Sequence, residues 1–135
     1  TGFLGGTTTD TGGALKITCP RFGRDFATVA AVTLDEKPLA SSTRVLVTVV
    51  ARAENQAMKW NEHHNSVGTE WGHGPTIAER VPATLSLATD GPRRVFALAP
   101  DGTRARKVKA TFADGLLTFS VSPKDRTLHY EIVAK

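Results

Sequence analysis

The chain has 135 residues and a mass of 14.4 kDa, the size of one domain, with an expected folded surface of roughly 6,800 Å² and enough buried area for a core of its own. Its single cysteine, Cys19, excludes an internal disulfide framework and a cysteine-based zinc finger, and no apolar run approaches the ~20 residues of a spanning helix. Hydrophobic residues make up 40% and charged residues 22%, an ordinary globular balance, so neither a disordered chain nor a membrane partner is expected.

The chain opens on Thr1 without a leader pattern and is expected to be one domain of a longer protein. Residues 1–13, rich in Gly and Thr, read either as a linker remnant or as an edge strand anchored by Phe3 and Leu4. Residues 14–135 read as a single β domain. Asp25 to Leu34 has apolar residues on both sides, with Phe26, Thr28, Ala30 and Val32 on one of them, as a central strand would. Thr43 to Ala51 is denser still in β-branched residues: Val45, Val47 and Val49 face one way, Leu46, Thr48 and Val50 the other. Val81, Ala83, Leu85 and Leu87 form another apolar face. Leu117, Phe119 and Val121 alternate with Thr118 and Ser120. Leu128, Tyr130 and Ile132 alternate with Thr127, His129 and Glu131, which are expected to face outward.

The punctuation agrees. Asp101-Gly102 and Asp114-Gly115 are hairpin signals, and Asp35-Glu36-Lys37-Pro38 and Asp90-Gly91-Pro92 mark further turns. With turns every eight to twelve residues and no helical stripe beyond a short turn near Glu54–Met58, the expected fold is all-β. The architecture is an antiparallel β-sandwich, immunoglobulin-like or jelly-roll, of about nine strands.

The net charge is +4, and the excess is local. Arg93, Arg94, Arg104, Arg106, Lys107 and Lys109 lie between Pro92 and Lys109, opposed only by Asp101. Such a run attracts nucleic acid or acidic glycans. A solvated strand edge, where cations discourage edge-to-edge pairing, is the preferred reading because no aromatics interleave to stack bases. No nucleic-acid partner is expected.

Asn55 to Pro75 departs from the strand pattern. It holds Trp60 and Trp71, His63, His64 and His73, and Glu62 and Glu70. A polar loop of this length inside a small sandwich is usually functional. Tryptophan faces stack on the C–H faces of sugar rings while Asn, Glu and His bond the hydroxyls. Trp60 and Trp71 are therefore candidate platforms, with Asn61, Glu62, His63, His64 and His73 as hydrogen-bonding candidates. The competing reading has both tryptophans anchoring the loop to the core. Metal ligation by His63, His64 and His73 with Glu62 or Glu70 lacks any recognised spacing, and no metal or other cofactor is assigned. A structural calcium site from Asp10, Asp35, Asp90 or Asp125 stays open, since calcium ligands are scattered oxygens. No nucleophile elbow, phosphate loop or dinucleotide fingerprint is present. Glu62 and Glu70 could pair as glycosidase carboxylates only at a separation of about 5–9 Å within a cleft. Ser66 lies near His63 and His64 without an orienting acid. No catalytic residue is assigned, and the domain is read as a non-enzyme.

Several stretches together resemble a known kind of domain. They are Thr33-Leu34-Asp35-Glu36-Lys37-Pro38-Leu39, Ser42 to Val50, and Arg52-Ala53-Glu54-Asn55-Gln56-Ala57-Met58-Lys59-Trp60-Asn61. Trp71-Gly72-x-Gly74-Pro75-Thr76 follows with Glu79 and Val81-Pro82-Ala83, and Thr127-Leu128-His129-Tyr130-Glu131-Ile132 closes the series. The series, from Phe22 to Val133, is similar to the C-terminal all-β accessory domains of bacterial secreted glycoside hydrolases, which are carbohydrate-binding-module-like. The resemblance implies a β-sandwich fused to a catalytic (β/α) barrel in a secreted protein acting on polysaccharide. The expected function is binding of β-linked glucans (cellulose, xyloglucan or mixed-linkage type) without catalysis. The alternative is a brace for the barrel with no ligand of its own. No ligand-contact motif transfers with the resemblance, so the candidate site rests on side-chain chemistry.

Overall fold

A computed structural model describes residues 1–135. The backbone forms thirteen strands and one 3-10 turn, Pro123–Asp125. The strands are β1 (Gly2–Phe3), β2 (Thr7–Asp10), β3 (Leu15–Cys19), β4 (Phe26–Thr33), β5 (Arg44–Val50), β6 (Ala53–Gln56) and β7 (His73–Ala78). They continue with β8 (Ala83–Ala88), β9 (Arg93–Leu98), β10 (Arg104–Val108), β11 (Ala110–Ala113), β12 (Leu116–Val121) and β13 (His129–Ala134). Two antiparallel sheets pack face to face as an all-β sandwich. One has the order β1-β4-β5-β13-β9-β10, the other β11-β12-β8-β3-β2, and β6 and β7 form a separate hairpin.

Alternation decides what is buried. In β5, Val45, Val47 and Val49 are all at most 3% exposed, and in β8 Ala83, Leu85 and Leu87 at most 4%. These faces meet Leu117, Phe119 and Val121 of β12 and Tyr130 and Ile132 of β13 in one continuous core. Phe119 and Tyr130 touch across it with ring centroids 6.2 Å apart. At about 1.5–3 kcal/mol per buried large aliphatic or aromatic side chain, this interior is the main source of stability. Asp114 (φ 52°) and Gly115 (φ 75°) adopt the paired left-handed conformations of a tight hairpin turn between β11 and β12.

Several expectations change. There are thirteen strands rather than about nine, because residues 1–13 supply an edge strand to each sheet and the long loop is bounded by β6 and β7. The region expected to hold a helical turn near Glu54–Met58 is strand β6 followed by a turn with Ala57 at φ 58°. Leu4 is buried, but Phe3 is 75% exposed and meets Phe26 edge-on at 5.3 Å. Strand β4 lies next to the two-residue edge strand β1 and is therefore not central; its second apolar side, with Phe26 and Val32, faces outward and is exposed. Glu131 lies on the outer face as alternation requires, yet is only 4% exposed. Arg44 Nε and Arg104 Nε close over its two oxygens at 2.5 and 2.6 Å, and the Arg104 guanidinium also sits 4.6 Å above the Phe96 ring.

The accessible surface is 8,081 Å², above the ~6,800 Å² expected for this mass. The β6–β7 arm explains the excess: between Arg52 and Arg80 only Val67 is buried.

Candidate functional site

The arm grows from the end of β5 as a hairpin whose base is held by Ala53↔Ala78, Glu54↔Ile77 and Asn55↔Thr76 pairing. Its tip, residues 57–72, folds on itself through short-range bonds. Lys59 N–H donates to Glu70 O at 3.1 Å, Asn61 N–H to Ser66 O at 2.9 Å, and Glu70 N–H to Val67 O at 2.8 Å. Gly72 has φ 67°, and a Cβ there would overlap the Gln56 carbonyl oxygen and the Met58 amide nitrogen. Only glycine lets the two sides of the tip approach this closely.

Trp60 and Trp71 line one cleft of about 430 Å³, floored by Met58 and Val67. Trp71 is 61% exposed and Trp60 37%, so neither is a core anchor. Trp60 is fixed: its indole N–H donates to Glu54 Oε1 at 2.7 Å, and the His64 ring lies nearly parallel to it, 6.3 Å away at 22°. His64 reaches this position with φ 53°. The Trp71 carbonyl accepts a bond from Asn55 Nδ2 at 3.1 Å.

Trp60 also lines a second cleft, about 420 Å³, with Phe3, Phe26, Arg24, Arg52, Glu54 and Glu79. Trp60 thus borders both an aromatic and aliphatic hollow and one that mixes aromatic and ionic groups. Such a combination of apolar faces and a polar rim suits a ligand with both C–H faces and hydroxyls.

Of the candidates from the sequence, the fold brings Trp60, Trp71 and His64 together. Asn61 is engaged inside the tip, donating from Nδ2 to Asn65 Oδ1 at 2.8 Å and accepting on Oδ1 from Asn65 N–H at 3.1 Å. Glu62 and His63 are exposed and line neither cleft. His73 starts β7, its Nδ1 2.9 Å from Gly74 O. Glu70 faces Lys59 at 3.8 Å. Ser66 borders the Trp cleft and accepts from Gly68 N–H at 3.1 Å. Sequence reasoning missed Glu54, Met58, Val67, Phe3 and Phe26. Residues brought together by the fold leave no spacing to read, and only the aromatic character of Phe3 and Phe26 was visible.

No three His, Cys, Asp or Glu side chains gather in a way that would hold a metal ion. The four aspartates considered for calcium are dispersed. Asp10 accepts from Gly13 N–H at 2.6 Å, and Asp125 accepts from Tyr130 Oη at 2.9 Å and pairs with Arg106. Asp35 accepts from the Ser42 and Thr43 hydroxyls at 2.6 and 2.7 Å; these bonds, with the Thr43 backbone N–H, hold its carboxyl far below the usual range. Burial pushes the Cys19 thiol up, and the side chain is 2% exposed inside the core.

No family model, curated protein or solved structure matches the chain.

Proposed function

We propose that this domain is a non-catalytic carbohydrate-binding module for β-linked glucans, serving a secreted glycoside hydrolase to which it is fused. The observation that carries the reading is the pairing of two partly exposed tryptophans on one cleft, Trp71 at 61% and Trp60 at 37% exposure. An indole held in place by a hydrogen bond, as Trp60 is by Glu54, loses little conformational freedom when a sugar ring stacks on it. Tethering the fused enzyme raises its local concentration at the polysaccharide without new chemistry at the bond. Neutral glucans suit the site because its faces are aromatic and its rim carries the Ser66 hydroxyl and the Asn65 amide. Affinity electrophoresis of the wild-type domain through xyloglucan, mixed-linkage glucan and hydroxyethylcellulose tests this. Retardation that persists at high salt is expected, because stacking on neutral sugar is not screened. Unretarded migration in all three overturns it.

A second reading has an observation of its own. Phe3, Phe26, Val32 and Leu34 are 45–75% exposed along one side of the six-stranded sheet. Such a patch fits a contact with a neighbouring domain, which is how a brace for a barrel would behave. In the same experiment the brace predicts no retardation.

A further inference from the structure

Strand β10 belongs to one sheet and β11 to the other, and the chain crosses between them at Lys109. At this corner the sandwich edge is open. A cleft of about 670 Å³ lies on one side of β10 and β11, with Arg106, Lys109 and Lys124 on its walls. Thr111, Thr118, Ser120 and Ser122 line the same cleft; the Thr118 and Ser120 hydroxyls also bond those of Ser86 and Thr84, at 2.9 and 3.1 Å. A smaller hollow on the other side holds Arg93, Arg94, Lys107 and Lys135, and the two share Val108 and Thr111, so they form one trough around the corner.

Seven cationic side chains of these two hollows meet a single acidic side chain, Asp125. That carboxylate is already occupied: its side chain is 4% exposed, pairs with Arg106, and accepts from Tyr130 Oη and the Ser122 N–H. Lys107, Lys109, Lys124, Lys135, Arg93 and Arg94 enter no ion pair. This unpaired charge exceeds the net +4 of the whole chain. A solvated edge strand needs scattered charges to repel other edges; it does not need a cleft that also holds hydroxyls.

We propose that this trough is a second binding surface, distinct from the tryptophan clefts, and that it takes an anionic polysaccharide carrying carboxylate or sulfate groups. The cations meet the anionic groups while the Ser and Thr hydroxyls meet the sugar hydroxyls between them. Nucleic acid fits less well. The one aromatic ring exposed on the trough is Phe112, at 38%, which leaves successive bases without platforms.

The test titrates the domain with polygalacturonate, with dextran sulfate and with single-stranded poly-dT at 50 and 200 mM NaCl. Binding to polygalacturonate, to dextran sulfate or to both is expected, weakening about tenfold or more across that salt range as bound counterions are released. Retention on only one of the two identifies the anionic group. The double variant Lys109→Gln/Lys124→Gln alters two exposed side chains, so its melting temperature stays at the wild-type value while acidic-glycan affinity falls at least tenfold. Trp71→Ala leaves that affinity unchanged, which separates this surface from the neutral-glucan site whether or not the latter exists. Three results overturn the proposal: no binding to either acidic glycan, undiminished binding by the double variant, or poly-dT binding as tight as the acidic glycans.

Discussion

The indole N–H of Trp60 donates to Oε1 of Glu54 at 2.7 Å, and the same oxygen lies 3.4 Å from Arg52 Nη1. A residue at the hairpin base therefore sets the plane of a ring that lines two clefts. Glu54→Ala frees that ring to rotate. We expect a three- to tenfold weaker glucan affinity, from the loss of roughly 1 kcal/mol of preorganisation. Glu54→Gln keeps an acceptor and restores most of the binding. Calorimetric titration of the two variants checks this.

Gly72→Ala breaks the arm without touching the core. An alanine at φ 67° costs about 1–2 kcal/mol, and its Cβ collides with backbone at Gln56 and Met58. The tip then opens locally, since few buried contacts hold it. Amide exchange should show lost protection at Lys59 and Glu70, which bond within the tip, while β5, β8 and β13 stay protected.

Glu131 gives the fold an acid-sensitive clasp. Burial pushes its carboxyl up, but the hydrogen bonds and charges of Arg104 and Arg44 outweigh burial and hold it below the ordinary glutamate value. The unfolded chain therefore binds the proton more readily than the folded one. The clasp's contribution is complete above the unfolded value, about 4.3, and is lost as pH falls through the lower, folded value. Glu131→Gln should cost about 1–3 kcal/mol at pH 7 and flatten the acid limb of a stability–pH curve measured by urea unfolding. The arginine side chains are 60% and 46% exposed, so they rehydrate and the cost stays below that of a fully buried pair.

Much of the fold was legible because apolar residues recur at every second position in β5, β8 and β12. The arm was not, because Ala53-Glu54-Asn55-Gln56 is polar on both sides and pairs only with a partner beginning at His73. Burial of Glu131 was equally hidden. It depends on Arg44 and Arg104, which sequence separation of 87 and 27 positions disconnects from it. Within the candidate site, the tryptophans announced themselves by type. Asn61 looked like a ligand contact, but its amide bonds to Asn65 within the tip, a turn no spacing rule marks.

Substitution of the two tryptophans separates platform from scaffold. Trp71→Ala, at an exposed position, should leave the melting temperature within about 1 °C of wild type, as surface changes usually cost little. Trp60→Ala loses a ring that contacts Glu54 and His64, so the arm loosens as well as losing binding. Thermal melts followed by near-ultraviolet circular dichroism distinguish the two.

The most direct test of glucan binding is isothermal titration of the wild-type domain and Trp71→Ala with cellohexaose and with a mixed-linkage β-glucan hexasaccharide. Wild type should bind at least one of them with a negative heat-capacity change, the mark of apolar burial. Trp71→Ala should lose about 1–3 kcal/mol of that affinity, between roughly fivefold and 150-fold. No heat of binding with either sugar, or equal affinity in both proteins, would contradict a glucan site at the tryptophan cleft.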